Sequence, residues 1–64
     1  MRMYLVQYAF IGQLGTTVHQ SAMLIDMLTG NETEALARVK QKLNGSWKRY
    51  GSDTEVIILS IKKQ

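Results

Sequence analysis

The single histidine of this 64-residue chain, His19, is the one side chain whose ordinary chemistry suits a general base near neutral pH. A catalytic histidine works with a nucleophile, and no serine or cysteine is obviously positioned with His19. The nearest acids in sequence, Asp26 and Glu32, are not placed beside it by spacing. We therefore interpret His19 as a surface or interface residue, and we predict that the protein is not an enzyme and has no catalytic residues.

Metal and cofactor sites are also not indicated by the sequence. The chain has no cysteine, and its five carboxylates are scattered and form no pair at a ligand spacing. Glu32 and Glu34 are two residues apart, on different faces of a helix, and capping accounts for both. The glycine-containing loops 12–15 and 45–48 match no phosphate-binding fingerprint. We predict no metal site and no cofactor.

A basic and aromatic cluster in the second half of the chain is the feature that could bind nucleic acid. Proteins that bind single strands combine cations for the phosphates with aromatic faces for the bases. Two observations oppose this function: Glu34 can pair with Arg38 four residues later, and no RNA-recognition signature is present. Nucleic-acid binding remains the alternative function, with the candidate contacts Arg38, Lys42, Trp47, Lys48, Arg49 and Tyr50.

Length and composition indicate one folded domain with little stability to spare. The apolar fraction is 45% and the charged fraction 20%, which is typical of globular domains, and a net charge of +3 is ordinary for this size. A chain of this length buries only about 60% of the surface that it exposes when unfolded. Without disulfides or a metal, association with another subunit is the remaining source of stability.

The sequence predicts a soluble, cytoplasmic protein. No stretch approaches the roughly 20 apolar residues of a membrane span, so we expect no membrane association. The apolar N-terminus contains Gln7 and lacks a small-residue cleavage site, so it indicates a strand and not a signal peptide. The absence of cysteine fits a reducing compartment.

Hydrophobic periodicity predicts two strands at the start of the chain. Residues 3–11 alternate and are apolar on both faces, which is typical of a central strand. Gly12 and Gly15 border a short loop that suits a hairpin. The partner strand is expected over about residues 16–25, and its polar composition is typical of an edge strand.

A helix and a third strand are predicted in the second half. Asn31 followed by Glu32 and Glu34 indicates a helix N-terminus, and we expect a helix over about residues 32–44. Its apolar stripe is Leu36, Val39 and Leu43, to which Ala35 contributes less strongly. Whether the helix stops at Asn44 or continues through Tyr50 is left open. Residues 55–61 predict the third strand.

These elements predict one α+β domain over residues 1–64, with the order β-β-α-β. A right-handed crossover from the second strand through the helix places the third strand beside the first. The expected fold is therefore a three-stranded antiparallel sheet in the order 2-1-3, with one helix on one face.

One helix can cover only one face of this sheet, although its strands carry apolar residues on both. Such an uncovered patch usually marks an interface, so we predict a protein-interaction module that forms a homodimer, with an unidentified protein as the other partner to consider. Tyrosines give apolar area with a hydroxyl that can reach the rim of an interface. The candidate interface residues are Tyr4, Val6, Tyr8 and Phe10.

The chain resembles in general shape the small uncharacterised β-β-α-β proteins encoded by phages and prophages. The similarity lies in the opening strand 4–8, the glycine hairpin, the single helix with glutamates at its start and the closing strand 56–61. The resemblance implies a phage or prophage accessory protein, and no functional residue is carried over from it.

Overall fold

The computed structural model describes residues 2–64 and contains one sheet and one α-helix. The strands are β1 (Arg2–Ile11), β2 (Thr17–Met27) and β3 (Glu55–Lys63), and the helix α1 spans Glu32–Leu43. Both β2 and β3 pair with β1 in the antiparallel sense, so the sheet order is β2-β1-β3. The predicted α+β fold and its topology are confirmed.

The start of α1 is fixed by two side chains. Asn31 caps the helix, and its side-chain oxygen accepts a hydrogen bond from the backbone N–H of Glu34 at 2.8 Å. The Glu34 carboxylate in turn accepts hydrogen bonds from the backbone N–H groups of Leu28, Thr29 and Gly30 and from the Thr29 hydroxyl. The loop between β2 and α1 therefore closes on one carboxylate, whose pKa the three backbone donors lower from 4.5 to about 2.

The end of α1 answers the question that the sequence left open. Asn44 adopts the left-handed conformation with φ 52°, and its N–H bonds the carbonyl of Lys40. Gly45 is also left-handed, with φ 79°, so the α-helix stops before it. The chain then forms a separate 3₁₀ helix, Ser46–Tyr50, which turns back over the sheet.

The helix packs on the face of the sheet that carries the aromatic side chains. The buried core consists of Tyr4, Val6, Tyr8, Phe10, Ile25, Met27, Ala35, Val39 and Val56. The predicted assignment of Tyr4, Val6, Tyr8 and Phe10 to an interface opposite the helix is therefore wrong. The physical reason is volume: the fully buried residues of α1, Ala35 and Val39, are small, so large rings from β1 must fill the space beneath them.

Tyr4 packs closely against the loop that precedes the helix. A Cβ added to Gly30 would lie 2.6 Å from the Tyr4 ring, and Gly30 has φ +72°. The ring thus occupies space that glycine alone leaves free. Leu36 and Leu43 contact the edge of the core beside the buried Ala35 and Val39, so the predicted helix stripe is present.

Candidate functional site

The side of the sheet opposite α1 has no layer over it, and we call it the open face. Side chains alternate along a strand, so the sequence neighbours of the core residues point to the open face. The large apolar members Met3, Leu24, Ile57 and Leu59 are exposed. Between its charged ends, the open face consists of Met3, Leu5, Gln7, Ala9, Gln20, Ala22, Leu24, Ile57, Leu59 and Ser60.

A β-bulge in β3 adds Leu59 to the open face. Tyr8 pairs with Ile58 and Gln7 pairs with Ser60, so Leu59 has no partner on β1. Two residues therefore lie between Ile58 and Ile61, which both pack against the core. The bulge lets the two intervening residues, Leu59 and Ser60, both face the open side of the sheet. Leu59 thereby enlarges the apolar surface at the middle of β3.

The centre of the open face carries no charged residue. Its two central polar side chains contact each other, because the Ser60 hydroxyl donates to the side-chain oxygen of Gln7 at 2.6 Å. The charged residues stand at the ends of the strands: Asp26 beside Met3, Lys62 beside Leu5 and Glu55 beside Ile11. Covering the centre therefore requires no burial of a charge.

A second surface, on the helix side, forms where the 3₁₀ helix meets the β1–β2 hairpin, and we call it the aromatic cleft. Phe10 and His19 are directly paired across β1 and β2, with ring centroids 5.1 Å apart. Tyr50 lies 5.6 Å from Phe10 and stacks on His19 at 5.9 Å with an interplanar angle of 17°. Tyr8 continues the cluster at 5.7 Å from Phe10.

The aromatic cleft is a cavity of about 240 Å³. Its remaining walls come from the C-terminal end of α1 and from the 3₁₀ helix, namely Leu43, Ser46 and Arg49. A second cavity of about 210 Å³ lies next to it, lined by Tyr50, Gln13 and residues 51–54. Tyr50 belongs to both linings and is 44% exposed, so its ring forms a wall between two concave surfaces.

One residue that lines the second cavity, Thr54, has a buried hydroxyl without a partner. Thr54 is 6% exposed, and its Oγ1 makes no hydrogen bond with any of residues 2–64. Buried polar atoms are rarely left unsatisfied, because this costs about 1–3 kcal/mol. Because protein atoms cover Oγ1, the hydroxyl is an unsatisfied group behind the wall of this cavity and does not face a ligand within it.

The six residues predicted as nucleic-acid contacts have different environments. Arg38 pairs with Glu34 at 3.6 Å, and Trp47 is half-buried against the core. Arg49 and Tyr50 line the aromatic cleft. The last two, Lys42 and Lys48, are exposed.

Sequence reasoning missed that Tyr8, Phe10 and His19 contribute to the same site as Tyr50. The signal that could have revealed it is the hairpin register, which sets Phe10 opposite His19. The position of Tyr50 was not available from the pattern, because it depends on two left-handed residues, Asn44 and Gly45, that redirect the chain.

Residues 2–64 include no group of three or more His, Cys, Asp or Glu side chains that could hold a metal ion. None of the helices in this range has the length and apolar character needed to cross a bilayer. No protein-family model, curated protein or solved structure matches the chain. Functional inference therefore starts from the open face and the aromatic cleft themselves.

Proposed function

We propose that this protein is a non-catalytic interaction module that forms a homodimer through the open face. The observation that carries the proposal is the exposure of large apolar side chains on the open face, with Leu24 55% exposed beside the fully buried Ile25. A contiguous apolar patch without charges at its centre is typical of a protein interface. The candidate interface is the open face, on the side away from the aromatic residues.

The size of the open face is sufficient for a dimer. Three strands of nine to eleven residues, spaced about 4.8 Å apart with about 3.3 Å per residue, give a projected area of roughly 450 Å². Packing two such faces together removes on the order of 1,000 Å² of surface in total, which is the lower bound for a specific interface. That burial also supplements the small core of a 64-residue domain.

The charges at the ends of the strands support a second copy as the occupant. Asp26 on β2 and Lys62 on β3 lie toward the same end of the open face, on opposite edges. A two-fold axis parallel to the strands places β2 over β3 of the partner with these ends in common. Asp26 then approaches Lys62 of the partner subunit, and the reciprocal pair forms on the other side.

Sedimentation equilibrium at micromolar concentration tests the proposal. The wild-type chain is expected to have twice its monomer mass of 7.3 kDa. Leu59→Glu is expected to be a folded monomer, because it places a charge among the apolar side chains of the open face, at the middle of β3 where Leu59 is 45% exposed. Leu14→Glu is the matched control: it makes the same chemical change at the hairpin, where Leu14 is 89% exposed and outside the open face. It should leave the dimer intact.

A wild-type chain that sediments as a folded monomer contradicts the homodimer. Equal weakening by Leu59→Glu and Leu14→Glu contradicts the open face as its interface.

A further inference from the structure

We propose that the aromatic cleft binds a nucleotide unit, with its base stacked on the rings of Tyr50 and His19 and its phosphate held by Arg49. This site lies on the helix side of the molecule and does not depend on dimerisation through the open face. The proposal rests on the ring geometry and on the distribution of cations.

The rings form one aromatic surface that is only partly covered by protein. Phe10 is buried and supports His19 and Tyr50 from below, at 5.1 and 5.6 Å. Tyr50 stacks on His19 and remains 44% exposed, with a cavity on either side. Every nucleobase has a flat π-face, and stacking on an exposed aromatic ring is the usual way in which proteins hold an unpaired base.

The cations near the cleft have no acidic partners. Residues 35–52 contain five Lys and Arg residues and no Asp or Glu. Among residues 2–64, the ion pair within 4.0 Å is Arg38 with Glu34, so Arg49, Lys42 and Lys48 are left without a carboxylate at that distance. Arg49 is the one that lines the cleft, and its planar guanidinium matches the geometry of a phosphate.

The dimensions favour one nucleotide unit. The cleft volume of about 240 Å³ is below the roughly 300–1,000 Å³ of sites that enclose a drug-sized ligand. On the far side of Tyr50, Gln13 is among the residues that line the adjoining cavity. Its side-chain amide can form hydrogen bonds with the polar edge of a base or with a ribose hydroxyl.

A nucleotide unit can come from a free mononucleotide or from a single strand of RNA, and one titration distinguishes them. Trp47, the single tryptophan, lies in the 3₁₀ helix that carries Arg49 and Tyr50, so its fluorescence reports on the cleft. The probes are uridine monophosphate, an oligouridine of about ten nucleotides and the same strand paired with oligoadenosine, at about 50 and about 200 mM salt. Similar affinity for the first two identifies the free nucleotide, and clearly tighter strand binding identifies RNA.

Tyr50→Ala is expected to weaken binding roughly 5- to 100-fold, because it removes a stacking ring. Arg49→Gln is expected to weaken binding several-fold and to lower the salt slope for the strand by about one, because one phosphate contact is lost. Lys40→Gln removes the same charge from an exposed position of α1 outside the cleft, and it should change the affinity by less than about twofold.

Three results would overturn the proposal: no binding of any probe at the lower salt, duplex binding as tight as single-strand binding, or losses in Tyr50→Ala and Arg49→Gln no larger than in Lys40→Gln. Amide NMR spectra establish that each variant is folded. If Tyr50→Ala does not fold, Tyr50→Leu is used instead, because it retains an apolar side chain over Phe10 and His19 without an aromatic face. Its affinity is then compared with that of Lys40→Gln.

Discussion

The two faces of the sheet are built from the same three strands and differ in what covers them. Leu24 and Ile25 are neighbours on β2, yet Leu24 is 55% exposed on the open face whereas Ile25 is 1% exposed under α1. Both are branched aliphatic residues of the same size. Apolar character therefore allows a residue to be buried, but the residues that form the core are those on the side of the sheet where the helix packs.

The largest expected effect comes from truncating the covered member of this pair. Ile25→Ala should lower the free energy of unfolding by about 2–5 kcal/mol, because it leaves a cavity in a close-packed core. Leu24→Ala should change the stability of the monomer by about 0.5 kcal/mol or less. Urea denaturation, followed by Trp47 fluorescence at concentrations low enough to keep the chain monomeric, measures both. Equal losses would show that the open face is part of the monomer's core.

A smaller effect on the free energy of unfolding, dependent on pH, is expected at the loop between β2 and α1, which closes on Glu34. The pKa of Glu34 is lowered from 4.5 to about 2 by the backbone N–H groups that it accepts from. Its ionised form therefore stabilises the fold in full above about pH 4.5, and this contribution is lost as the pH falls toward 2. Glu34→Gln should be less stable than the wild type at pH 7, with a difference that narrows between pH 4.5 and 2.

Urea midpoints measured across that pH range test this expectation. Glu32→Gln removes a charge from the same helical turn without touching the loop contacts, so it reports the helix-dipole contribution alone. A difference between Glu34→Gln and the wild type that stays constant from pH 7 to 3 would show that the carboxylate does not hold the loop in the way described.

The smallest expected effect concerns the rim of the open face. Asp26→Lys should weaken the dimer only a few-fold, because exposed ion pairs contribute about 0.2–1 kcal/mol. Combining it with Lys62→Asp should restore most of the affinity, since the pair is re-formed with reversed charges. Dissociation constants from sedimentation provide the double-mutant cycle. An additive loss in the double variant would exclude a two-fold axis parallel to the strands.

The order of the elements could be predicted because each has a local cause. Asn31 with acids after it marks the helix start, Gly12 and Gly15 mark the hairpin, and β1 is apolar on both faces as a central strand must be. The face of the sheet that α1 covers could not be predicted from the pattern, because both faces of β1 are apolar. The small volumes of Ala35 and Val39 decide between them, through packing that periodicity does not contain.

The aromatic cleft was predictable only in part. Arg49 and Tyr50 were named because cations and aromatics are adjacent in the sequence, but Trp47 from the same stretch packs against the core. His19 joins the cleft through the strand register, which shifts between Phe10 and Ile11. A register shift of this kind changes which side chains meet, and alternation of residue types alone does not fix it.

Isotope-filtered NOE spectroscopy on a mixture of labelled and unlabelled chains is the decisive test of dimerisation through the open face, because it detects only contacts between two copies. We expect intermolecular NOEs among the methyl groups of Leu5, Leu24, Ile57 and Leu59, and none from the core methyls of Val6, Ile25 and Val39. Intermolecular NOEs confined to backbone protons of β2 or β3 would indicate edge-to-edge pairing. Such a backbone-only pattern, or the absence of any intermolecular NOE, would contradict dimerisation through the open face.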